Sequence, residues 1–257
     1  MFCIKVENLA FKYGDGFELG KLNLRFCESE VTAILGPNGA GKTTFLKCLA
    51  RMLKPLEGVV YLGSKELWSL SLNEVAKIVS FSEVEIPQGF NVKVVDFVST
   101  SRYPHMSSFW ESSEDLKAIG ESIRKLKLES FVQRKIEELS SGEFQRVVLA
   151  KILAKKPKVL LLDEPTLHLD IKYQLEILKI IREITKEEKL VTIVTLHDLK
   201  LASMFADKIV LLSNGKVVAF GSSAEVLTPR NIEKVYGVKV KIIEDEEAGI
   251  IIAPLIK

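Results

Sequence analysis

Three short strings carry side chains suited to handling a phosphoanhydride: residues 36–43 read GPNGAGKT, 139–143 read LSSGE and 159–165 read VLLLDEP. The first fits G-x-x-x-x-G-K-[ST], in which glycines let backbone N–H groups turn inward around an anion. Gly36, Pro37, Asn38, Gly39, Ala40 and Gly41 form that loop. Lys42 has the reach for β- and γ-phosphates, and Thr43 offers a hydroxyl to Mg²⁺. Thr44 follows in a stretch rich in helix formers, whose first N–H groups and dipole add to the anion site. In the third string, Asp163 ends four apolar residues, which places a carboxylate beside the phosphate loop where Mg²⁺ needs a second ligand. Glu164 comes next, and a carboxylate leaving the strand there can polarise water for in-line attack. His197 follows the strand-like run LVTIVT, in LHDL, near the strand terminus where α/β sheets present ligand-binding groups. Ser140 and Glu143 fit the S-x-x-E capping box, and a capped helix start is also an anion site where Ser140 and the Gly142 N–H can meet a γ-phosphate. Tyr13 is placed either to stack on a base or to close a strand end. These observations imply a nucleoside triphosphate as ligand.

The elements that must position these groups follow from hydrophobic periodicity. Short strand-like runs at 4–9, 22–26 and 31–35 are separated by Gly14, Gly16 and Gly20, and 58–62 and 78–81 add two more around a helical stretch at 73–77. From 85 to 139 the texture becomes helical, with helices expected at 92–98, 113–126 and 129–138. The α/β alternation then resumes: helix 143–154, strand 158–162, helix 172–186 and strand 190–195. Continuous apolar strands alternating with such helices imply a parallel sheet covered on both faces. Asn214–Gly215 between KIVLL and KVVAF signals a two-residue hairpin. The organisation expected is an ATP-binding core in two parts, 1–84 and 140–221, a helical insertion at 85–139, and a C-terminal cap at 222–257.

Composition narrows the class. Of 257 residues 47% are hydrophobic, ample for a core, and Lys+Arg 36 against Asp+Glu 34 gives a formal charge of +2, which argues for no polyanionic partner such as nucleic acid. No apolar run approaches the roughly 18 residues needed to span a bilayer, and the first residues lack a signal-peptide pattern. Cys3, Cys27 and Cys48 form an odd, widely spaced set, so buried free thiols in a reducing compartment are expected. High Lys and Glu usage suits a thermophile.

Taken together, in the order Tyr13, GPNGAGKT, a region near Val84, LSSGE, VLLLDEP, LHLD and LHD, the strings resemble the ATP-binding subunit of ABC transporters over nearly the whole chain. The resemblance implies an α/β fold: a P-loop NTPase of ABC type with a mainly parallel core sheet, an N-terminal antiparallel β subdomain and a helical subdomain insertion. It also implies that two subunits sandwich two ATP molecules head to tail. Each nucleotide would touch Lys42, Thr43, Asp163, Glu164 and His197 of one subunit and Ser140 and Gly142 of the other, with Asp170 at the seam. Hydrolysis would pull on integral-membrane permease subunits served indirectly by an extracytoplasmic binding protein. The chain would then lie on the cytoplasmic face of the cell membrane.

Two departures from the family pattern stand out. Ser141 replaces the first of two signature glycines, and Val84 falls where a glutamine is usual, with Glu83, Glu85 and Gln88 as nearby polar candidates. Within the family, NVKVVDFVSTSRYPHMSSF and AEVLTPRNIEKVYGVKV resemble importers of iron–siderophore complexes, haem and cobalamin, with Ser101 in place of the Gly of a G-R-Y-P-H string. By that resemblance Arg102, Tyr103, Pro104 and His105 lie near the permease interface; a turn packed on the helical insertion is the other reading. Two further functions compete: a soluble ABC ATPase of an assembly system, and a regulator that binds nucleotide with weak hydrolysis. Retained Glu164 and His197 count against the regulator.

Overall fold

A computed structural model describes residues 1–14, 16–83, 91–105, 112–245 and 249–255, without the side chains of Glu83 and Glu244. The chain opens with β1 (Cys3–Lys12), β2 (Glu18–Cys27) and β3 (Glu30–Leu35), then α1 (Lys42–Leu49), β4 (Glu57–Leu62), β5 (Lys65–Glu66), α2 (Leu72–Ile78) and β6 (Val79–Glu83). Next come α3 (Val94–Ser99), α4 (Ser113–Lys125), α5 (Ser141–Ala154) and β7 (Val159–Asp163). They are followed by α6 (Ile171–Glu187), β8 (Val191–Thr195), α7 (Leu199–Phe205), β9 (Lys208–Ser213) and β10 (Lys216–Gly221). The last elements are α8 (Ser223–Val226), α9 (Pro229–Tyr236), β11 (Val240–Asp245) and β12 (Gly249–Pro254).

Three sheets result. An antiparallel sheet runs β2-β1-β4-β5, a six-stranded sheet runs β10-β9-β3-β8-β7-β6, and β11 pairs with β12. In the large sheet all contacts are parallel except that of β9 with β10. Its central strands β7 and β8 are buried at every residue, which is why VLLLD and VTIVT read as continuous rather than alternating. One apolar cluster fills the space between this sheet and the antiparallel one around Phe26, Phe45 and Leu161; a second lies on its other face around Val94, Phe144 and Ile177. The β9–β10 turn has Asn214 at φ 47° and Gly215 at φ 71°, the paired positive values that the Asn-Gly signal requires.

Two sequence expectations fail. Residues 129–138 do not form a helix; they make two short 3-10 turns, Glu129–Phe131 and Ile136–Glu138. Their backbone groups bond across to the segment before α3 instead: Val94 N–H donates to Arg134 O and Ile136 N–H to Val92 O, both at 3.0 Å. Nor are all three cysteines free. Cys3 and Cys27 stand directly opposite in the β1–β2 register and form a disulfide, leaving Cys48 as the buried thiol. Burial pushes the Cys48 thiol up to about 12, so it is an inert core group.

Candidate active site

The phosphate loop turns between β3 and α1. Gly41 caps α1 in a left-handed conformation (φ 101°), and a Cβ there would meet the Phe17 ring at 2.5 Å, so only glycine fits. No side chain caps α1, which leaves the first amide donors of the helix for an anion. The Lys42 ammonium curls over the loop, donating to Gly36 O at 2.9 Å and Pro37 O at 3.2 Å. Burial pushes its pKa down, and the charges of Glu164 and Asp163 partly offset that. A cavity of about 340 Å³ opens here, lined by Tyr13, Phe17, Asn38, Gly39, Ala40, Gly41, Lys42, Thr43, Thr44 and Glu164. Tyr13 is half exposed at its rim and packs edge-on to Phe11, with centroids 4.7 Å apart.

The acidic end is assembled from the ends of two parallel strands, β7 and β8, and the first turn of α1. Asp163, at the end of β7, accepts from Thr43 Oγ1 at 2.6 Å through one oxygen and from Thr195 Oγ1 at 2.5 Å through the other. Thr195 ends β8, and the same hydroxyl accepts the Glu164 backbone N–H at 2.8 Å. Glu164 takes the left-handed conformation (φ 49°), uncommon for a residue with a Cβ, which turns the chain abruptly off the strand. Its Oε1 lies 2.5 Å from His197 Nε2. Thr43, Asp163, Thr195, Glu164 and His197 thus form one connected polar chain from the phosphate loop to the edge of the cavity. Thr43 and Asp163 present adjacent hard oxygens, the donor set that suits Mg²⁺.

The signature lies elsewhere. Ser140 caps α5 through a complete capping box with Glu143, whose carboxylate accepts from Ser140 N–H and Oγ at 2.8 Å each. These hydrogen bonds from Ser140 hold the Glu143 carboxyl below its usual range. Neither Ser140 nor Gly142 lines the phosphate-loop cavity. Ser141 sits in the first turn of α5 with ordinary helical backbone, so glycine is not needed there. Gly142 is different: a Cβ would meet the Tyr173 ring of α6 at 2.8 Å. Asp170 caps α6, accepting Tyr173 N–H at 3.1 Å, and is exposed. Val84, Glu85 and Gln88 lie outside the described residues, as does the Glu83 side chain.

The SRYPH string divides. Arg102 is buried, donating to Asp115 Oδ1 at 2.7 Å and to Ala154 O at 3.0 Å, so this residue packs the helical layer rather than facing out. Tyr103 is 68% exposed. Sequence reasoning missed three residues: Thr195, which joins both carboxylate positions; Phe17, which walls the cavity; and Tyr173, which covers Gly142. A threonine closing an otherwise apolar strand immediately before LHD was the available signal for the first.

Residues 19–167 match the ABC transporter family, and the chain belongs to it. It is 38% identical over 237 residues to an uncharacterized ABC transporter ATP-binding protein of Methanocaldococcus jannaschii, covering 92% of this chain and 82% of that one. It is 34% identical over 248 residues to the iron(3+)-hydroxamate import ATP-binding protein of Bacillus subtilis, covering 95% and 91%. Among solved structures, it superposes with TM-score 0.86 at 25% identity on a chain of a transporter assigned to the metal-chelate type and captured facing inward, over 100% of this chain and 99% of that one. It superposes with TM-score 0.71 at 28% identity on a dimeric ATP-binding cassette in a post-hydrolysis state with ADP and Pi, over 86% and 98%. The chain is therefore an ATPase of the ABC type. Among the described residues no helix is long and apolar enough to cross a membrane.

Proposed function

We propose that the chain is the ATP-hydrolysing subunit of a membrane importer for an iron chelate, with haem and cobalamin complexes as the neighbouring cargo classes. The observation that carries the hydrolytic part is the continuous chain Thr43–Asp163–Thr195–Glu164–His197 beside a cavity walled by the phosphate loop. The cargo class is supported by the roles of relatives such as the iron(3+)-hydroxamate import protein of Bacillus subtilis.

In this reading the loop amides and Lys42 bind the phosphates, and Tyr13 with Phe17 flanks the base. Thr43 and Asp163 would hold Mg²⁺, which when bound neutralises charge between the β- and γ-phosphates. Glu164 accepts a proton from the attacking water. His197 keeps the Glu164 carboxylate oriented, and Thr195 fixes the backbone that carries it. Ser140 and Gly142, remote from the chain's own cavity, serve the nucleotide of a second copy, with Asp170 at the seam between copies. Permease subunits couple this closure to transport at the cytoplasmic face of the membrane, a binding protein delivers cargo from outside, and nucleic acid has no part.

Affinity capture of the chain from detergent-solubilised native membranes tests the assignment. Recovery of a polytopic permease supports it and bounds the cargo. Recovery of soluble partners alone, with the chain absent from membranes, overturns the importer reading and favours an assembly ATPase.

A further inference from the structure

The Cys3–Cys27 bond ties together the two ends of the β1–β2 hairpin, 24 residues apart in sequence. Strand alternation puts it on the outer face of the sheet. Ile4, Val6, Leu24 and Phe26 enter the apolar cluster, so Cys3, Lys5, Arg25 and Cys27 take the opposite side. There Lys5 and Arg25 stand directly opposite one another in the register. Both cysteines are largely covered, at 8% and 7% exposure, but their surroundings differ. Cys3 lines a cavity of about 510 Å³ together with Lys5, Arg25 and Ser64, and Cys27 does not. Arg25 Nη2 donates to Cys3 Sγ at 3.7 Å. Lys5 is paired with Glu7, whereas Arg25 forms no ion pair among the described residues. Cys27 is followed by a carboxylate, Glu28, which accepts the Phe2 N–H at 2.9 Å and lies 3.9 Å from the Met1 ammonium.

A disulfide exchanges when an external thiolate attacks one sulfur and expels the other as a thiolate. A cation beside a sulfur draws an anionic attacker to it and stabilises negative charge that later collects there. Of the two sulfurs, Cys3 has both the opening and the cation, and Cys27 has neither. Like charges directly opposed on paired strands also cost free energy, which an anion seated between Lys5 and Arg25 recovers.

We infer that Cys3 is an exchange site for small thiols that carry a carboxylate. The external thiol loses its proton to solvent, and its thiolate attacks Cys3 Sγ. The Cys3–Cys27 bond breaks, and Cys27 leaves as a thiolate that takes up a proton. The product is a mixed disulfide on Cys3 with its carboxylate beside Arg25 and Lys5. A second external thiolate then attacks the outer sulfur of that mixed disulfide, and Cys3 departs as a thiolate next to the Arg25 guanidinium. Two electrons pass to the protein bond, and the two external thiols become one external disulfide. The reverse sequence, with that external disulfide as oxidant, restores the bond. The hairpin it closes carries Tyr13 and Phe17 in its loop, so the exchange governs a covalent tie in the element that brings both rings to the phosphate-loop cavity.

The test is reduction of the folded, oxidised chain at low salt by 3-mercaptopropionate (anionic), 2-mercaptoethanol (neutral) or cysteamine (cationic). Each rate is divided by the rate of the same thiol on bis(2-hydroxyethyl) disulfide, an uncharged reference that cancels intrinsic nucleophilicity. Wild type should favour the anionic thiol over the cationic one by ~10-fold, and added salt should shrink that ratio. Arg25→Gln, folded by circular dichroism, should lose most of the preference, and Arg25→Lys should keep it. Peptide mass mapping locates the reacting sulfur. With the disulfide of 3-mercaptopropionate, Cys27→Ser should form the mixed disulfide at Cys3 ~10-fold faster than Cys3→Ser forms it at Cys27. Equal normalised rates for the three thiols, or faster adduct formation at Cys27, would overturn the inference. So would a bond that none of the thiols reduces until the chain unfolds, or free thiols at Cys3 and Cys27 in air-oxidised protein.

Discussion

His197 Nε2 lies 2.5 Å from Glu164 Oε1, although 33 residues separate them and they leave the ends of adjacent parallel strands. This contact aims a carboxylate that a left-handed backbone has already turned off its strand. His197→Ala should therefore lower the steady-state rate of phosphate release by ~10²-fold while leaving nucleotide affinity nearly unchanged. Equilibrium binding of a fluorescent ATP analogue, measured beside the rate, separates the two effects.

Thr195 has no contact with nucleotide in this account, yet its hydroxyl serves both Asp163 and the Glu164 amide. Thr195→Val keeps the shape and removes the hydroxyl, leaving a buried amide and a carboxylate oxygen short of a partner. The expected cost is about 1–3 kcal/mol of stability by chemical denaturation. Activity should fall more than the loss of folded protein explains, whereas Thr195→Ser should recover most of it.

Gly142 and Ser141 should respond oppositely to substitution. Gly142→Ala drives a Cβ into the Tyr173 ring and should destabilise by about 1–3 kcal/mol. Ser141→Gly should cost about 0.5 kcal/mol or less through helix propensity alone. In a double-mutant cycle, Gly142→Ala should cost less in a Tyr173→Ala background than in the wild-type one. Equal costs in both would place the clash elsewhere.

The buried Arg102–Asp115 pair makes acid stability a readout of the helical layer. The Ser112 hydroxyl first, and Arg102 second, hold the Asp115 carboxyl down at about 2. A depressed native value means the carboxylate stabilises the fold above the ordinary aspartate range, and that contribution is lost as pH falls from near 4 toward 2. Asp115→Asn should cost about 3 kcal/mol at neutral pH, with the gap to wild type closing across that acid window. Denaturant midpoints at pH 7, 4 and 2.5 would measure it.

Much of this site was legible in the sequence because its parts obey local rules. GPNGAGKT is a contiguous loop, Asp163 follows four apolar residues, and His197 follows a β-branched, mainly apolar run, so their places at strand ends follow from pattern alone. What escaped depends on register between distant segments. Thr195 meets Asp163 because β7 and β8 pair in parallel, and Cys3 faces Cys27 because β1 and β2 pair with those residues opposite. Residues 129–138 have helix-forming composition, but their backbone partners lie near residue 93, and tertiary bonding overrides the local preference. Gly142 reads in the sequence as an anion-binding amide at a helix start, and the close approach of the Tyr173 ring from another helix is not legible there.

The central claim is that Glu164 handles the proton of the attacking water. Its most direct test is Mg²⁺-dependent phosphate release by wild type and Glu164→Gln at saturating ATP. The account predicts a fall of ~10²-fold or more with ATP still bound, trapping two copies of the variant around nucleotide. Equal release by the two proteins would contradict it and move the base to another residue.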